Sequence, residues 1–292
     1  MLNRIHAILG AQWLIHQDSA VSYLPLLISL FRGQDPETGS ALENKPVVMA
    51  WSDPARPIGT VGKWTLEDSS IPENSVAIIP VKGPICSWDS IELMTMLRQA
   101  QANDRINSVL LPVNSPGGMV SQTDLLAATI KDLGKPTVAV VMGMSASAAM
   151  WVMSAASYRI ATSPIDVIGS VGTKVSLQNY SGLLEKIGIK LEDFYATSST
   201  RKDEEVRAAK QGNLQPMTGY VDFVNDVFHQ AIRDNLNIEA GSEVFTGATF
   251  FAEKAQQLGL INEINTMDYA LTKAYQLGLK NKLINQSKNL NL

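Results

Sequence analysis

One serine stands where the sequence predicts the end of a strand and the start of a helix. Residues 137–142 form an uncharged run rich in β-branched side chains, which predicts a strand buried on both faces. Gly143 interrupts this run, and small residues follow until Met150 and Trp151 resume an apolar helix. The first turn of a helix has backbone N–H groups without intrahelical partners, and small side chains leave room for a second chain. Ser147 is therefore a candidate nucleophile, although tight packing beneath a sheet is the more frequent use of such residues.

A second turn that contains glycine follows a neighbouring predicted strand. Residues 107–113 form this strand, and the sequence NSPGG that follows ends in Gly117 and Gly118. Sites in open parallel sheets form at the carboxyl ends of strands, so this turn and Ser147 are expected at the same edge. Glycines allow a ligand to approach the backbone closely, and two backbone N–H groups beside a hydroxyl can hold an oxyanion during acyl transfer. The expected donors are Gly117 or Gly118 together with Ala148.

A serine nucleophile needs a base, and histidine is poorly placed to supply it. The three histidines are His6 and His16 near the N-terminus and His229 in a predicted amphipathic helix, and none lies in a turn or beside a glycine. A Ser-His-Asp triad is therefore unsupported. A neutral lysine can act as the base if burial lowers its pKa from about 10.4. The candidates are Lys174, Lys202 and Lys210, and the residues alone do not choose between them.

The elements that position these residues alternate along the chain. Between residues 76 and 151 the hydrophobic pattern predicts strand and helix three times in succession, which is typical of a parallel sheet with right-handed crossovers. Residues 1–73 are interpreted as an N-terminal helical arm followed by a Pro/Gly-rich linker. Residues 74–265 are interpreted as the catalytic domain, with a short strand over 191–196. Residues 266–292 are interpreted as a C-terminal helix and a frayed tail.

Composition narrows the function classes. The 292 residues carry a net charge of −4, and the Lys and Arg residues do not form a basic stripe of the kind that binds nucleic acid. The single cysteine, Cys86, excludes an internal disulfide and a cysteine-based metal site, and fits a reducing compartment. Two apolar runs, 7–15 and 20–31, are shorter than the roughly 20 residues of a membrane span. They predict packing helices, with a signal peptide as the minority interpretation.

Six segments in a fixed order carry a family resemblance. They are VAIIPVKGPI at 76–85, NSPGG at 114–118, Ala146-Ser147 after Gly143, IGSVG at 168–172, Lys202-Asp203, and VFTG at 244–247 with AQQLGLINEI at 255–264. On these segments the chain resembles the signal peptide peptidase A family of Ser-Lys serine proteases over roughly residues 74 to 265. The resemblance implies an α/β fold of the crotonase/Clp protease type, a parallel sheet with flanking helices built as a ββα-type spiral.

The same resemblance implies a role for each site residue. Ser147 would be the nucleophile, Lys202 the general base, and Ser170 the residue that orients the Lys202 amine. The amides of Gly117 or Gly118 and of Ala148 would hold the oxyanion. No metal or cofactor is implied, and family members form homo-oligomers whose neighbouring subunits complete the site. The chain departs from the family at 148–149, where Ala-Ala replaces Gly-Gly, and at 198–201, where no glycine precedes the lysine.

The sequence Ala-Ser-Ala-Ala-x-Trp at 146–151 resembles the bacteriophage branch of this family. Members of that branch are head maturation proteases, which implies a capsid or scaffold protein as substrate. It also implies a location in the cytoplasm, either of the host cell or inside the prohead. The alternatives are a cellular signal-peptide or membrane-associated peptidase of the same family and a non-catalytic capsid assembly component. A crotonase-type acyl-CoA hydratase or isomerase is disfavoured, because 114–118 and 143–151 contain no acidic residue.

Overall fold

A mainly parallel β-sheet runs through the protein. The computed structural model describes residues 13–15, 45–50, 60–62, 64–177, 181–186, 188 and 192–290. The strands are β1 Trp13–Ile15, β2 Val47–Ala50, β3 Thr60–Gly62, β4 Ser75–Ile78, β5 Val81–Lys82, β6 Ile106–Ser115, β7 Gly117–Met119, β8 Thr137–Ala146, β9 Tyr158–Ala161, β10 Val167–Gly169, β11 Thr249–Phe251 and β12 Glu263–Ile264. The helices are α1 Ser87–Ala102, α2 Thr123–Lys131, α3 Ala148–Ser154, α4 Ser181–Lys186, α5 Glu204–Lys210, α6 Gln215–Leu236, α7 Ala252–Gln257 and α8 Met267–Leu290, with a 3₁₀ turn at Glu243–Thr246.

The strand order along the large sheet is β11-β10-β8-β6-β4-β2-β3. Neighbours from β4 to β10 are parallel, whereas β2, β3 and β11 join antiparallel at the two sides. The first half of β8 pairs with β9, and its last three residues pair with β10. The predicted α/β class with a mainly parallel sheet and flanking helices is thereby confirmed.

Helices cover both faces of the sheet, which explains why the sequences of β6 and β8 are nearly continuous apolar runs. Side chains alternate between the faces with a period of two. Val109 and Leu111 of β6 belong to the larger core with helices α1, α2, α3 and α6. Leu110 between them packs into a smaller core with Ala274 of α8. The sheet is therefore the middle layer, and its carboxyl edge remains the place where a site can form.

The structure changes three predictions made from local pattern. Trp13–Ile15 is a strand paired with β7 rather than part of a helix; the rest of 1–44 lies outside the described residues. The predicted linker contains Val47–Ala50 and Thr60–Gly62, which are strands of the large sheet. These assignments depend on partners distant in the sequence, so the prolines and glycines around them misled a local interpretation. Residues 192–196, in the segment 191–196 predicted as a strand, are not in a strand either; Leu191 lies outside the described residues.

The predicted C-terminal helix is present, and it spans Met267–Leu290, which includes most of the tail that was predicted to fray. Helix α8 continues to Leu290. The Asn281 amide donates to the Gly134 carbonyl at 3.0 Å, and Lys282 Nζ donates to Asn74 Oδ1 at 3.0 Å. These contacts with the sheet domain hold the polar end of the helix. No helix in the described part of the chain is long and apolar enough to cross a membrane.

Candidate active site

The turn between β8 and α3 holds Ser147 in a conformation that is rare for a residue with a side chain. Its φ is 56° and its ψ is −121°. The Ser147 N–H donates to the Gly169 carbonyl at 2.8 Å, and the Ser147 carbonyl accepts the Trp151 N–H at 3.0 Å. The residue is 1% exposed, and its Oγ has no hydrogen-bond partner among the described residues. A strained backbone held from both sides with an uncommitted hydroxyl is typical of a functional position.

A buried carboxylate fixes the strand just before this turn. Asp166 is 3% exposed, and its Oδ1 accepts the Gly143 N–H at 2.8 Å. Its Oδ2 accepts the backbone N–H groups of Thr162 and Ser163 at 2.8 and 2.9 Å, and the Thr162 hydroxyl at 3.2 Å. Asp166 therefore sets the point at which β8 leaves β9 and continues beside β10. Sequence reasoning missed it, because nothing local distinguishes Asp166 from an ordinary turn aspartate.

The glycine turn lies beside the serine turn, as the strand order requires. Ser115 at the end of β6 pairs with Ser145 of β8, and β7 packs against α3. The Gly117 N–H donates to Ser115 Oγ at 3.2 Å, so this amide already has a partner. A Cβ on Gly118 would lie 1.9 Å from the Ile85 carbonyl oxygen, which explains why the second position is glycine.

The N–H of Gly118 faces away from Ile85. The Gly117 carbonyl and the Met119 N–H both bond to the Ile85 backbone, at 2.9 and 2.7 Å. Successive residues of a strand direct their backbone groups to opposite edges. The N–H and C=O of Gly118 consequently face the opposite edge of β7, where β1 pairs and Leu14 stands opposite Gly118.

Ser170 is a close neighbour of Ser147. Gly169 pairs with Ala146 in the parallel register of β10 and β8, so the residues that follow each strand lie side by side. Ser170 also has a positive φ, 53°, and its N–H donates to the Ala248 carbonyl at 2.7 Å. The structure thus brings together Ser147, Ser170 and the glycine turn.

The candidate lysines are not assembled with them. Lys202 lies in an exposed turn before α5, and its N–H donates to the Ser199 carbonyl at 3.2 Å. Lys174 and Lys210 are exposed as well. No contact joins Ser147 to any of the three within the described part of the chain. The candidate nucleophile therefore lies on the sheet, whereas the candidate lysines lie on surface segments.

One lysine has a lowered pKa, but it lies at the wrong end of the sheet. Burial lowers the pKa of Lys135 to about 8. Its Nζ donates to the carbonyls of Ala100 and Asn103 at 2.8 and 2.7 Å, where it closes the end of α1. Strand β8 begins two residues later and has 10 residues, which places Ser147 about 30 Å away at roughly 3.3 Å per residue. Lys135 is a structural lysine.

His229 also has a structural environment. Its ring packs against Phe245 with the centroids 4.9 Å apart. Burial lowers the pKa of His229, and a hydrogen bond with the Val171 backbone opposes this shift. Its Nε2 has no partner among the described residues, and no contact joins its side chain to Ser147 there. The interpretation of His229 as a helix-face residue agrees with these contacts.

Comparison with known proteins bears on the part of the chain that contains Ser147, Ser170 and the candidate lysines. The profile of peptidase family S49 matches residues 129–281. A protein of Methanocaldococcus jannaschii that is named as a protease is 32% identical over 196 residues, 65% of this chain and 62% of the relative. Protease 4 of Haemophilus influenzae is 28% identical over 228 residues, 73% of this chain and 36% of the relative. Capsid assembly protease C of Escherichia phage lambda is 25% identical over 215 residues, 68% of this chain and 48% of the relative. The chain thus spans less than two thirds of the length of each of these relatives.

Proposed function

Because the chain belongs to peptidase family S49, we propose that it is a serine endopeptidase in which Ser147 is the nucleophile. Membership also confirms the resemblance to the signal peptide peptidase A family. The observation that carries the proposal is the conformation of Ser147: a positive φ at the junction of β8 and α3, with a hydroxyl that has no partner in the described chain. Such strain persists only where the surrounding structure enforces it.

Gly118 and Ala148 are the proposed oxyanion donors. Of the two glycines, Gly117 already donates to Ser115, whereas the N–H of Gly118 faces the edge of β7 at which β1 pairs. Ala148 is the first residue of α3, so its N–H belongs to the helix groups that have no intrahelical acceptor. Preorganised donors of this kind stabilise the charge that develops on a carbonyl oxygen, by about 3–4 kcal/mol for each donor in measured cases.

The proposed reaction is acyl transfer to serine followed by hydrolysis. A neutral lysine amine, Lys202 by resemblance, takes the Ser147 hydroxyl proton while Oγ attacks the peptide carbonyl. The tetrahedral intermediate collapses with cleavage of the C–N bond, and the lysine returns its proton to the departing amine. Water then attacks the acyl-enzyme and restores Ser147. Ser170, beside the nucleophile, would accept a hydrogen bond from the lysine and orient it.

The exposed position of Lys202 favours a site completed by assembly. Phe194 is 90% exposed, Leu214 is 61% exposed and Phe223 is 68% exposed, and these residues flank the Lys202 segment in the chain. Exposed apolar side chains in this number indicate a surface that another protein covers. We expect a second copy of the chain to cover it and to bury the lysine amine that acts as the base.

The proposed substrate is a capsid or scaffold protein, by analogy with the phage lambda relative, whose name describes capsid assembly. A cellular peptidase is the second candidate, and Protease 4 of Haemophilus influenzae favours it. Co-expression with capsid and scaffold proteins, followed by mass spectrometry of the products, separates the two. Defined capsid or scaffold fragments that disappear in Ser147→Ala would support the phage function, and intact capsid and scaffold proteins beside an active enzyme would contradict it.

A fluorophosphonate probe tests the nucleophile directly. Ser147→Ala should abolish labelling. Ser145→Ala is the matched control, because Ser145 is also buried and lies two residues before Ser147, and this variant should retain labelling. Labelling that survives in Ser147→Ala would refute the assignment. Lys202→Ala should abolish turnover; products like those of the wild type would transfer the role of base to Lys174 or Lys210.

A further inference from the structure

The N-terminal strand β1 occupies the edge of β7 that the proposed oxyanion donor faces. Trp13, Leu14 and Ile15 pair antiparallel with Met119, Gly118 and Gly117. These two strands form a separate two-stranded sheet, so the pairing with β7 is the sheet contact of β1 within the described chain. A short strand laid on an exposed sheet edge is also the way in which extended peptides bind to proteins.

The register places one carbonyl of β1 against the proposed oxyanion donor. Gly118 directs both its N–H and its C=O toward β1, because the neighbouring Gly117 carbonyl and Met119 N–H bond to Ile85. Residues directly opposite in an antiparallel pair that face each other exchange both hydrogen bonds. The carbonyl of Leu14 therefore lies against the N–H of Gly118, the donor assigned to the oxyanion, and the bond between Leu14 and Ile15 is the one presented for attack.

We propose that Leu14–Ile15 is a self-cleavage site and that β1 is an internal substrate of the serine site. This inference depends on the proposed function. Ser147 Oγ would attack the Leu14 carbonyl carbon and give its proton to the lysine, and the C–N bond to Ile15 would break as that proton passes to the Ile15 nitrogen. Water would then release residues 1–14 with a new carboxylate on Leu14 and restore the Ser147 hydroxyl.

Cleavage also has a consequence for other substrates. While β1 pairs with Gly117–Met119, the backbone groups on that edge of β7 are occupied. A peptide from another protein needs the same N–H and C=O of Gly118. Release of residues 1–14 therefore opens the edge, and the uncut chain should process added substrate more slowly than the cut chain.

The test is a time course of cell-free synthesis of the chain, followed by intact mass and N-terminal sequencing. Wild type and Ser145→Ala should convert to a form that begins at Ile15, whereas Ser147→Ala should stay uncut. Leu14→Pro removes the N–H that bonds to the Gly118 carbonyl and should block the cut. The matched Leu9→Pro variant, with its proline outside β1, should allow it. The half-time should not change when the protein is diluted tenfold within the range in which the oligomer stays assembled, because β1 pairs with β7 of its own chain.

The outcomes separate this inference from the function on which it depends. Fluorophosphonate labelling of Ser147 with the N-terminus left intact would overturn self-cleavage and leave the peptidase assignment standing. A cut in Ser147→Ala, a cut elsewhere than after Leu14, or a half-time that lengthens on dilution while the oligomer stays assembled would also overturn the proposal. Failure of both labelling and cleavage in an oligomer of wild-type fold would refute the peptidase assignment itself.

Discussion

The backbone conformation of Ser147 predicts that glycine at this position gives a higher unfolding free energy than alanine. Ser147→Ala keeps the Cβ and with it the strain of a positive φ. Ser147→Gly removes the Cβ, so the same φ and ψ become accessible without a steric penalty. Both variants lose the hydroxyl and should lose all peptidase activity. The difference between their unfolding free energies therefore measures the cost of holding the backbone at this positive φ.

The size of the difference follows from two opposing effects. A residue held in a sparsely populated region costs about 1–3 kcal/mol. Glycine loses more conformational freedom on folding than alanine, which costs about 0.5–1 kcal/mol. The net expectation is that Ser147→Gly is more stable than Ser147→Ala by about 1 kcal/mol, within limits of about 0 and 2.5 kcal/mol. At about 2–4 °C for each kcal/mol in proteins of 150–250 residues, this is a rise in Tm of a few degrees.

Urea denaturation and thermal unfolding of the two variants measure this difference. Ala149→Gly is the matched control, because Ala149 lies two residues later inside α3 with ordinary helical geometry. That variant should lose about 1 kcal/mol, the usual cost of glycine in a helix. If Ser147→Gly is also less stable than Ser147→Ala by a similar amount, Ser147 is not strained and the argument from its conformation fails.

Three further predictions concern the support of the site, its base and the titration of Lys135. Asp166→Asn should lower the unfolding free energy by about 2–4 kcal/mol, because an amide leaves buried donors such as the Gly143 N–H unpaired; equal stability in urea denaturation would contradict this. Mixing inactive Ser147→Ala with inactive Lys202→Ala should restore part of the activity if the base comes from a second copy, and no recovery after co-refolding would place both groups in one chain. The pKa of Lys135 is lowered to about 8, below its unfolded value, so the unfolded chain binds more protons between pH 8 and 10.5. Stability relative to Lys135→Met should therefore rise with pH in that range, by at most about 1.4 kcal/mol per pH unit; a falling difference in unfolding free energy would show the opposite shift.

The geometry around the candidate serine could be predicted because its signals are local. A buried strand, a glycine and a run of small residues lie within 15 positions around Ser147. Parallel alternation then places the glycine turn at the same edge, and the structure has β6 beside β8 with Ser115 opposite Ser145. Chain order alone fixes these relations once the strands are recognised.

The remaining parts depend on contacts between distant residues. Val47–Ala50 becomes a strand because β4 pairs with it, and Trp13–Ile15 becomes one because β7 does. Asp166 acquires its role through Gly143, 23 positions earlier. Side-chain type at these positions does not distinguish a strand from a loop or a buried carboxylate from an exposed one. The choice between Gly117 and Gly118 likewise required the hydrogen bonds to Ser115 and Ile85.

The division of the site into a rigid half and an exposed half has a consequence for activity in solution. Ser147 and its proposed oxyanion donors lie on strands and a helix of the sheet domain, where packing fixes their geometry. The Lys202 turn, in contrast, is exposed and makes no contact with Ser147 in the described chain. If a second copy buries that turn, assembly supplies both the position and the burial of the base. Specific activity should then fall on dilution below the dissociation constant of the oligomer, while the extent of N-terminal cleavage that has already occurred should not change. Specific activity measured across a dilution series, with sedimentation velocity on the same samples, checks this. Constant activity in the monomer would show that one chain carries a complete site and that the lysine turn moves to the serine without a partner.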